Sequence, residues 1–256
     1  MPARHSDGVA WVTGASQGIG EAVCLRLARD GWTVVASARS ADKLDALAGR
    51  SDIGPGRIVA MALDVTDGPA VDRAVDRIIA HHGPIALAVL NAGTYLADNA
   101  ETLSAETLVP TVDLNFVSVA RCLQALLGPM RAVGKGHVQV VSSVSGYRGL
   151  PNAASYGATK AALINLAESL KLDFDRFGLT LQLVNPGFVK TPLTDRNDFP
   201  MPFLISAEKA ADRIVAGAAK RSFEVTFPRR FTFLLKVLRC LPYALYFPIV
   251  RRMTGV

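Results

Sequence analysis

The stretch Val9-Ala-Trp-Val-Thr13-Gly14-Ala-Ser16-Gln17-Gly18-Ile19-Gly20 packs a strand, a turn and the start of a helix into very few residues. A short apolar run ends at a cluster of glycines, and a helical repeat of Ile19, Val23, Leu27 and Ala28 follows at once. Glycines let the backbone turn sharply and approach a ligand closely, while the first N–H groups of the next helix carry the positive end of its dipole. Such a turn can cradle a pyrophosphate. The spacing is Gly-x3-Gly-x-Gly instead of Gly-x-Gly-x-x-Gly, so a chance glycine-rich turn stands as the alternative on this stretch alone.

Outward from it, strand-like runs alternate with helical ones. Thr33 to Ala38 reads as a second strand, Ile58 to Leu63 as a third, Val71 to Ala80 as a helix and Ile85 to Leu90 as a fourth strand. A helix from about Ser104 to Leu127, a strand from His137 to Ser142, the helix holding Tyr156, a strand from Leu181 to Asn185, a helix capped by Ser206 and a strand from Phe223 to Phe227 complete the pattern. Near-continuous apolar strands alternating with helices predict an α/β, Rossmann-type doubly wound parallel sheet of about seven strands with helices on both faces. Ligands of such sheets lie beyond the C-terminal strand ends. Gly14, Arg39, Asp64, Asn91, Ser143 and Asn185 all fall there.

The second strand ends where a dinucleotide's adenosine ribose would lie. An NAD site usually has a carboxylate at that point; this chain has Ala38 and then Arg39, flanked by Ser37 and Ser40. A guanidinium binds a 2′-phosphate through two charge-assisted bonds, which predicts NADP(H) over NAD(H).

Tyr156 and Lys160 are four apart on a helical repeat and share a face. An ammonium about 4 Å from a phenol contributes roughly 4 kcal/mol at an effective dielectric of ~20, enough to bring a pKa near ~10 down toward neutrality. Tyr156 is therefore expected to titrate near pH 7 as a general acid/base, with Ser143 donating to the carbonyl oxygen it protonates. Asn115 is a polar residue inside an apolar helical pattern, either a satisfied interior amide or the holder of a water linking Lys160 to solvent.

The totals bound the class. The 256 residues form one domain without a recognisable linker; Cys24, Cys122 and Cys240 lie far apart, and neither they nor His5, His81, His82 and His137 have metal-ligand spacing. No disulfide framework and no metal are expected. The first eight residues lack an apolar run, so the reading is of a cytoplasmic, reduced protein. Net charge is +6, yet residues 1–219 hold 20 basic and 21 acidic side chains, while 220–256 hold eight and one. The neutral core argues against nucleic-acid binding. Residues 229–256 read as a basic amphipathic extension of a catalytic unit spanning 1–228. Phe231, Leu234, Leu235, Leu238 and Leu241 share one face of it, with Thr232, Lys236 and Arg239 opposite. It either contacts an anionic membrane surface or packs on its own domain or a partner subunit. A proline-rich loop from Pro192 to Leu204, with Leu193, Phe199, Met201 and Phe203, resembles a lid; with Tyr95, Leu96, Leu150 and Phe188 it would line an apolar pocket for a lipophilic carbonyl or alcohol.

From Val9 to Phe227 the chain resembles the short-chain dehydrogenase/reductase family, in its NADP-preferring branch. The resemblance is carried by Thr13-Gly-Ala-Ser-Gln-Gly-Ile-Gly20, Asn91-Ala92-Gly93, Asn115, Ser143, Tyr156-Gly-Ala-Thr-Lys160 and Pro186-Gly187, in order. It implies an oxidoreductase that moves a hydride between NADP(H) and a small-molecule carbonyl/alcohol pair. Tyr156 would be the acid/base, Ser143 would orient the carbonyl, Lys160 would bind the nicotinamide ribose, and Asn115 would hold the relay water. Gly14, Ser16, Gln17, Gly18, Ile19, Gly20, Arg39, Asp64, Val65, Asn91, Ala92, Gly93, Pro186, Gly187, Val189 and Thr191 would line the cofactor site. The resemblance also implies a homodimer or homotetramer. A catalytically silent nucleotide-binding or membrane-docking protein on the same fold is the alternative, against which the intact Ser143, Tyr156 and Lys160 set weighs.

Overall fold

A computed structural model describes residues 3–196, 200–220 and 222–255. Strands β1 (Val9–Thr13), β2 (Thr33–Ala38), β3 (Arg57–Ala62), β4 (Ile85–Leu90), β5 (His137–Val141) and β6 (Thr180–Pro186) are interleaved with helices α1 (Gly18–Arg29), α2 (Ala41–Ala48), α3 (Gly68–His82), α4 (Ala105–Val112), α5 (Ser118–Val133) and α6 (Ala154–Arg176). Two short strands, β7 (Val189–Lys190) and β8 (Ile205–Ser206), pair with each other before α7 (Ala207–Ala218), β9 (Glu224–Phe227), α8 (Arg229–Arg239) and α9 (Tyr243–Thr254). The main sheet has seven strands in the order β3-β2-β1-β4-β5-β6-β9, all parallel. The order reverses direction between β1 and β4, and that switch point opens the crevice in which such sheets bind ligands.

Alternate residues of one strand serve opposite layers, and both layers are apolar. Trp11 packs into one core with Val75 and Ile78 of α3, Leu123 and Leu126 of α5 and Leu163 of α6. Its neighbours Ala10 and Val12 point into the other, with Val23 and Leu27 of α1, Leu44 of α2 and Ile214 of α7. Strands buried on both faces cannot alternate polar and apolar residues, hence the continuous apolar runs in the sequence.

The sequence boundaries shift in a few places. The third strand starts at Arg57, the third helix runs on to His82, and the last strand starts at Glu224. The helix expected from Ser104 to Leu127 is two helices joined by a π-helical segment, Asp113–Val117, and it runs on to Val133. A widened turn inserts an extra residue into the helical repeat, which an apolar pattern at a 3.6 period does not report. Within the expected lid, Phe199 lies outside the described residues.

The extension packs on its own domain. Phe231, Leu235 and Leu238 of α8 and Tyr246 and Val250 of α9 join the core, where Leu235, Leu238 and Tyr246 meet Val144, Tyr147 and Leu150. Thr232, expected on the polar face, is 1% exposed and gives its hydroxyl to the Arg229 carbonyl. Lys236 meets Glu224, which also accepts from the Tyr147 hydroxyl at 2.5 Å and from Asn185 at 2.8 Å. The Arg148 guanidinium donates to the carbonyls of Leu238, Arg239 and Leu241 at the end of α8 and lies over the rings of Tyr243 and Tyr246. A cation on the last carbonyls of a helix offsets its dipole.

A polar network crosses the buried sheet at β5 and β6. Gln182 donates to the carbonyls of Gly217, Lys220 and Ser222, so its oxygen accepts from both Gln139 and His137 Nε2. His137 therefore carries a proton on Nε2, and its buried Nδ1 has no partner among the described residues. Burial pushes this imidazole down from 6.5 to about 4, partly opposed by Gln182. The unfolded chain then binds the proton first, so stability is full above pH 6.5 and falls by roughly 3 kcal/mol as pH drops toward 4. Urea denaturation of wild type and His137→Gln at pH 7 and pH ~4.5 checks this, since the variant should lack that part of the loss.

Candidate active site

The glycine turn closes against the fourth strand. Gly14 has φ +66°, and a Cβ on Gly20 would sit 2.2 Å from the Gly14 carbonyl oxygen, so both positions exclude any side chain. Asn91 donates its side-chain amide to the carbonyls of Thr13 and Gly14, and the backbone N–H groups of Asn91 and Ala92 return to the Thr13 hydroxyl. The turn is thus held rigidly at the switch point. Gln17 sits at the N-cap of α1 without a side-chain cap, which leaves the first N–H groups of that helix for a ligand.

At the end of β2, Arg39 is exposed and makes no ion pair among the described residues. It faces Asp64, whose carboxyl is held below the usual range first by the Thr66 backbone N–H and hydroxyl and then by Arg39. The first turn of α2 brings a further cation, missed in the sequence, to the glycine turn. Lys43, in the first turn of α2, donates to the Gln17 side chain at 3.1 Å, joining α2 to the glycine turn. Ser40, the N-cap of α2, makes no side-chain cap bond. Only the fold brings position 43 to position 17.

On the other side of the crevice, Ser143 follows β5 and its hydroxyl accepts from the Ser145 N–H at 3.1 Å. Tyr156 and Lys160 project from the first turns of α6. The expected titration of Tyr156 near neutrality is not what the geometry gives. Burial pushes the phenol up to about 12, and a hydrogen bond from Ser143 draws it back only in part. Lys160 Nζ, 5.6 Å from the centre of the Tyr156 ring, donates instead to the Val141 carbonyl at 3.0 Å. At 4% exposure the lysine itself is pushed down to about 8 by burial. Four residues of helix place two groups on one face; they do not decide where a flexible side chain aims its charge.

Asn115 is fully buried, and both ends of its amide are used. Its oxygen accepts from Thr94 N–H at 2.7 Å; its nitrogen donates to the Thr94 carbonyl at 2.9 Å and to Thr159 Oγ1 at 3.2 Å. Thr159 in turn donates to the Tyr156 carbonyl at 2.7 Å. Asn115 lies in the π-helical segment, and its amide reaches Thr159 of α6. A Cβ built on Gly93 would lie 3.1 Å from the Asn115 oxygen and 3.6 Å from Lys160 Nζ, so these three positions share one small volume.

A second residue missed in the sequence is Asp98. It is 6% exposed, and its two carboxylate oxygens accept from the Ser155 N–H at 3.1 and 3.0 Å and also meet the Ser155 hydroxyl. The N-cap position of α6, Ala153, has no capping side chain, so Asp98 caps the helix from a distant loop. Asp98→Ala is expected to lower stability by about 1–2 kcal/mol, read as a lower melting temperature, because the first turn of the Tyr156 helix loses its acceptor.

Val189 is buried. Thr191 N–H donates to the Thr194 hydroxyl, which itself donates to the Val189 carbonyl. The Thr191 methyl lies 3.1 Å from a Cβ built on Gly18, which brings the β7 segment against the glycine turn. Pro186 ends β6, and Gly187 lies under Phe231 of α8, whose ring is 5.6 Å from Phe188 and 5.9 Å from Phe203. Tyr95 meets Tyr156 edge-on at 5.1 Å and donates to the Asn152 carbonyl. Leu96, expected in the pocket, is 45% exposed.

Residues 8–199 match the family model described as short chain dehydrogenase. The chain belongs to the short-chain dehydrogenase family. An oxidoreductase of Myxococcus xanthus, described as uncharacterized, is 36% identical over 251 residues, covering 98% of this chain and 99% of its own. A 3beta-hydroxysteroid dehydrogenase of Mediterraneibacter gnavus is 34% identical over 195 residues, 76% of this chain and 70% of its own. Among solved structures, an alcohol dehydrogenase from the archaeon Thermococcus sibiricus complexed with 5-hydroxy-NADP aligns at TM-score 0.77 and 26% identity, covering 86% of this chain and 95% of that one. This short-chain dehydrogenase is accordingly an oxidoreductase of a family that uses a nicotinamide cofactor. Its residues fit that group: an uncapped helix N-terminus beside a side-chain-free turn suits a pyrophosphate.

Proposed function

We propose that this short-chain dehydrogenase reduces a lipophilic carbonyl compound with NADPH, or oxidises the matching alcohol with NADP. The observation that carries the reading is the gathering of Ser143, Tyr156 and Lys160 across the crevice from a glycine turn flanked by two cations, Arg39 and Lys43. The uncapped N–H groups of α1 would hold the pyrophosphate, and Arg39, with Lys43, would hold a 2′-phosphate. Gly14, Ser16, Gly18, Ile19, Gly20, Val65, Asn91, Ala92 and Gly93 would line the floor, and Pro186, Gly187, Val189 and Thr191 the nicotinamide end.

When bound, the nicotinamide supplies or accepts the hydride. The chain's own groups do the rest. The Ser143 hydroxyl orients the carbonyl oxygen, and Tyr156, whose burial keeps the phenol protonated, gives its proton to that oxygen. The buried Lys160 ammonium beside the ring stabilises the phenolate left behind, and Asn115 fixes the helix geometry through Thr159. In the free protein Lys160 gives up its proton near about pH 8. kcat/KM for reduction should be flat up to about pH 8 and decline above it, as the ammonium is lost. The aromatic wall of Phe188, Phe203 and Phe231 and the likeness to a hydroxysteroid dehydrogenase support an apolar substrate.

The test is to follow consumption of NADPH, and of NADH in parallel, with a panel of apolar ketones and aldehydes of increasing size. Turnover that grows with apolar size and favours NADPH is the expected result. A protein that binds NADPH but turns over no member of the panel would leave the silent-fold reading standing.

A further inference from the structure

The extension has an inner face that packs and an outer face that does not. On α8, Phe233 is 70% exposed and Leu234 and Val237 stand out beside it; on α9, Tyr243 is 69%, Phe247 59% and Met253 56% exposed. These side chains protrude from two successive helices. Apolar side chains this exposed, recurring on two successive helices, mark a contact surface. Around them Arg229, Arg230, Arg239, Arg251 and Arg252 are all exposed, and residues 229–256 contain no acidic side chain.

We infer that the outer face of α8 and α9 docks on an anionic phospholipid surface, with the aromatic and aliphatic side chains in the headgroup region and the arginines on the phosphates. The charge pattern selects this occupant. A second copy of the same face would set arginine against arginine with no carboxylate to answer them, since an isologous contact repeats one patch on both sides. A peptide helix would need a groove, and these residues protrude. A bilayer accepts protruding apolar side chains and answers the arginines with its own charge. None of the described helices is long and apolar enough to cross a membrane, so the helices lie along the surface.

The platform is rigid where it needs to be. Arg148 binds three carbonyls at the end of α8, and the Tyr246 hydroxyl donates to the Gly149 carbonyl at 2.5 Å. Both partners sit on the loop that follows Ser143. Phe231, on the inner side of α8, covers Gly187 at the nicotinamide end of the crevice.

Flotation of the full chain with vesicles of phosphatidylcholine containing phosphatidylglycerol, against pure phosphatidylcholine, tests it. Binding at least ~10-fold stronger to the anionic vesicles, weakened by high salt, is expected. Phe233→Glu with Phe247→Glu should abolish flotation, and Arg229→Gln, Arg230→Gln, Arg251→Gln and Arg252→Gln together should reduce it about as far as removing the anionic lipid does. Turnover of a small water-soluble carbonyl by the Phe233→Glu, Phe247→Glu protein should match wild type, which shows that the variant folds. Equal flotation of wild type and variants, or none by either, overturns the inference. So does a shift from dimer to monomer in light scattering of the variants without vesicle binding by wild type, because the face would then join two copies. Turnover without flotation sinks the docking and leaves the function; flotation without turnover does the reverse.

Discussion

Tyr156→Phe should lower kcat for carbonyl reduction by about 10³-fold, with the affinity for NADPH nearly unchanged. The substitution removes one oxygen and keeps the ring, so its edge-on contact with Tyr95 and the packing of α6 survive. What is lost is the proton that the carbonyl oxygen needs as hydride reaches its carbon. Positioned proton transfer contributes roughly 10²–10⁴ in rate, and the Ser143 hydroxyl, proposed only to orient the carbonyl, would not replace it. Burial holds the phenol up to about 12, so the wild-type group carries its proton through the whole neutral range. Steady-state kinetics, together with a fluorescence titration of NADPH on the same variant, separates the two effects. A variant that keeps more than about a tenth of wild-type kcat would remove Tyr156 from the proposed role. A variant that loses NADPH affinity to the same extent would assign the residue to binding.

Arg39→Asp combined with Lys43→Ala should weaken NADPH binding by roughly 100-fold and leave NADH binding little changed or improved. Two cations at the end of β2 and the first turn of α2 are proposed to share the 2′-phosphate. A charge-assisted hydrogen bond is worth about 1.5–3 kcal/mol, so the loss of this pair corresponds to about two decades of affinity. The new carboxylate would also offer an acceptor to the ribose hydroxyls of NAD and repel a phosphate. Arg39 is exposed, and the Lys43 bond to Gln17 is a surface contact, so neither substitution threatens the core. Fluorescence titration with both reduced cofactors is the measurement. Unchanged NADPH affinity would end the assignment of these residues to the phosphate.

The covalent order of residues was enough for some features and silent on others, and the division follows range. Residues Val9–Thr13 and Thr33–Ala38 are strands because continuous apolar, β-branched runs have few other stable fates, and glycines at 14, 18 and 20 turn the chain wherever it goes. The alternation of such runs with helical repeats then leaves a parallel, doubly wound sheet as the arrangement that covers both faces. Tyr156 and Lys160 share a face because a helix repeats every 3.6 residues. All of this is local chemistry repeated along the chain.

Only the tertiary structure decided where side chains that lie far apart in sequence meet. Lys43 reaches Gln17, Asp98 caps the helix of Tyr156 across 57 positions, and Arg148 closes the end of α8 across 90. No spacing rule links such positions. The aim of Lys160 at the Val141 carbonyl, and the high pKa of Tyr156 that follows from its burial, depend on dielectric surroundings that no neighbouring residue encodes. The extension shows both levels at once: its order gives a basic, amphipathic helical face over 231–241, but the second helix, and which apolar residues the extension hides and which it shows, were settled by the domain it packs against.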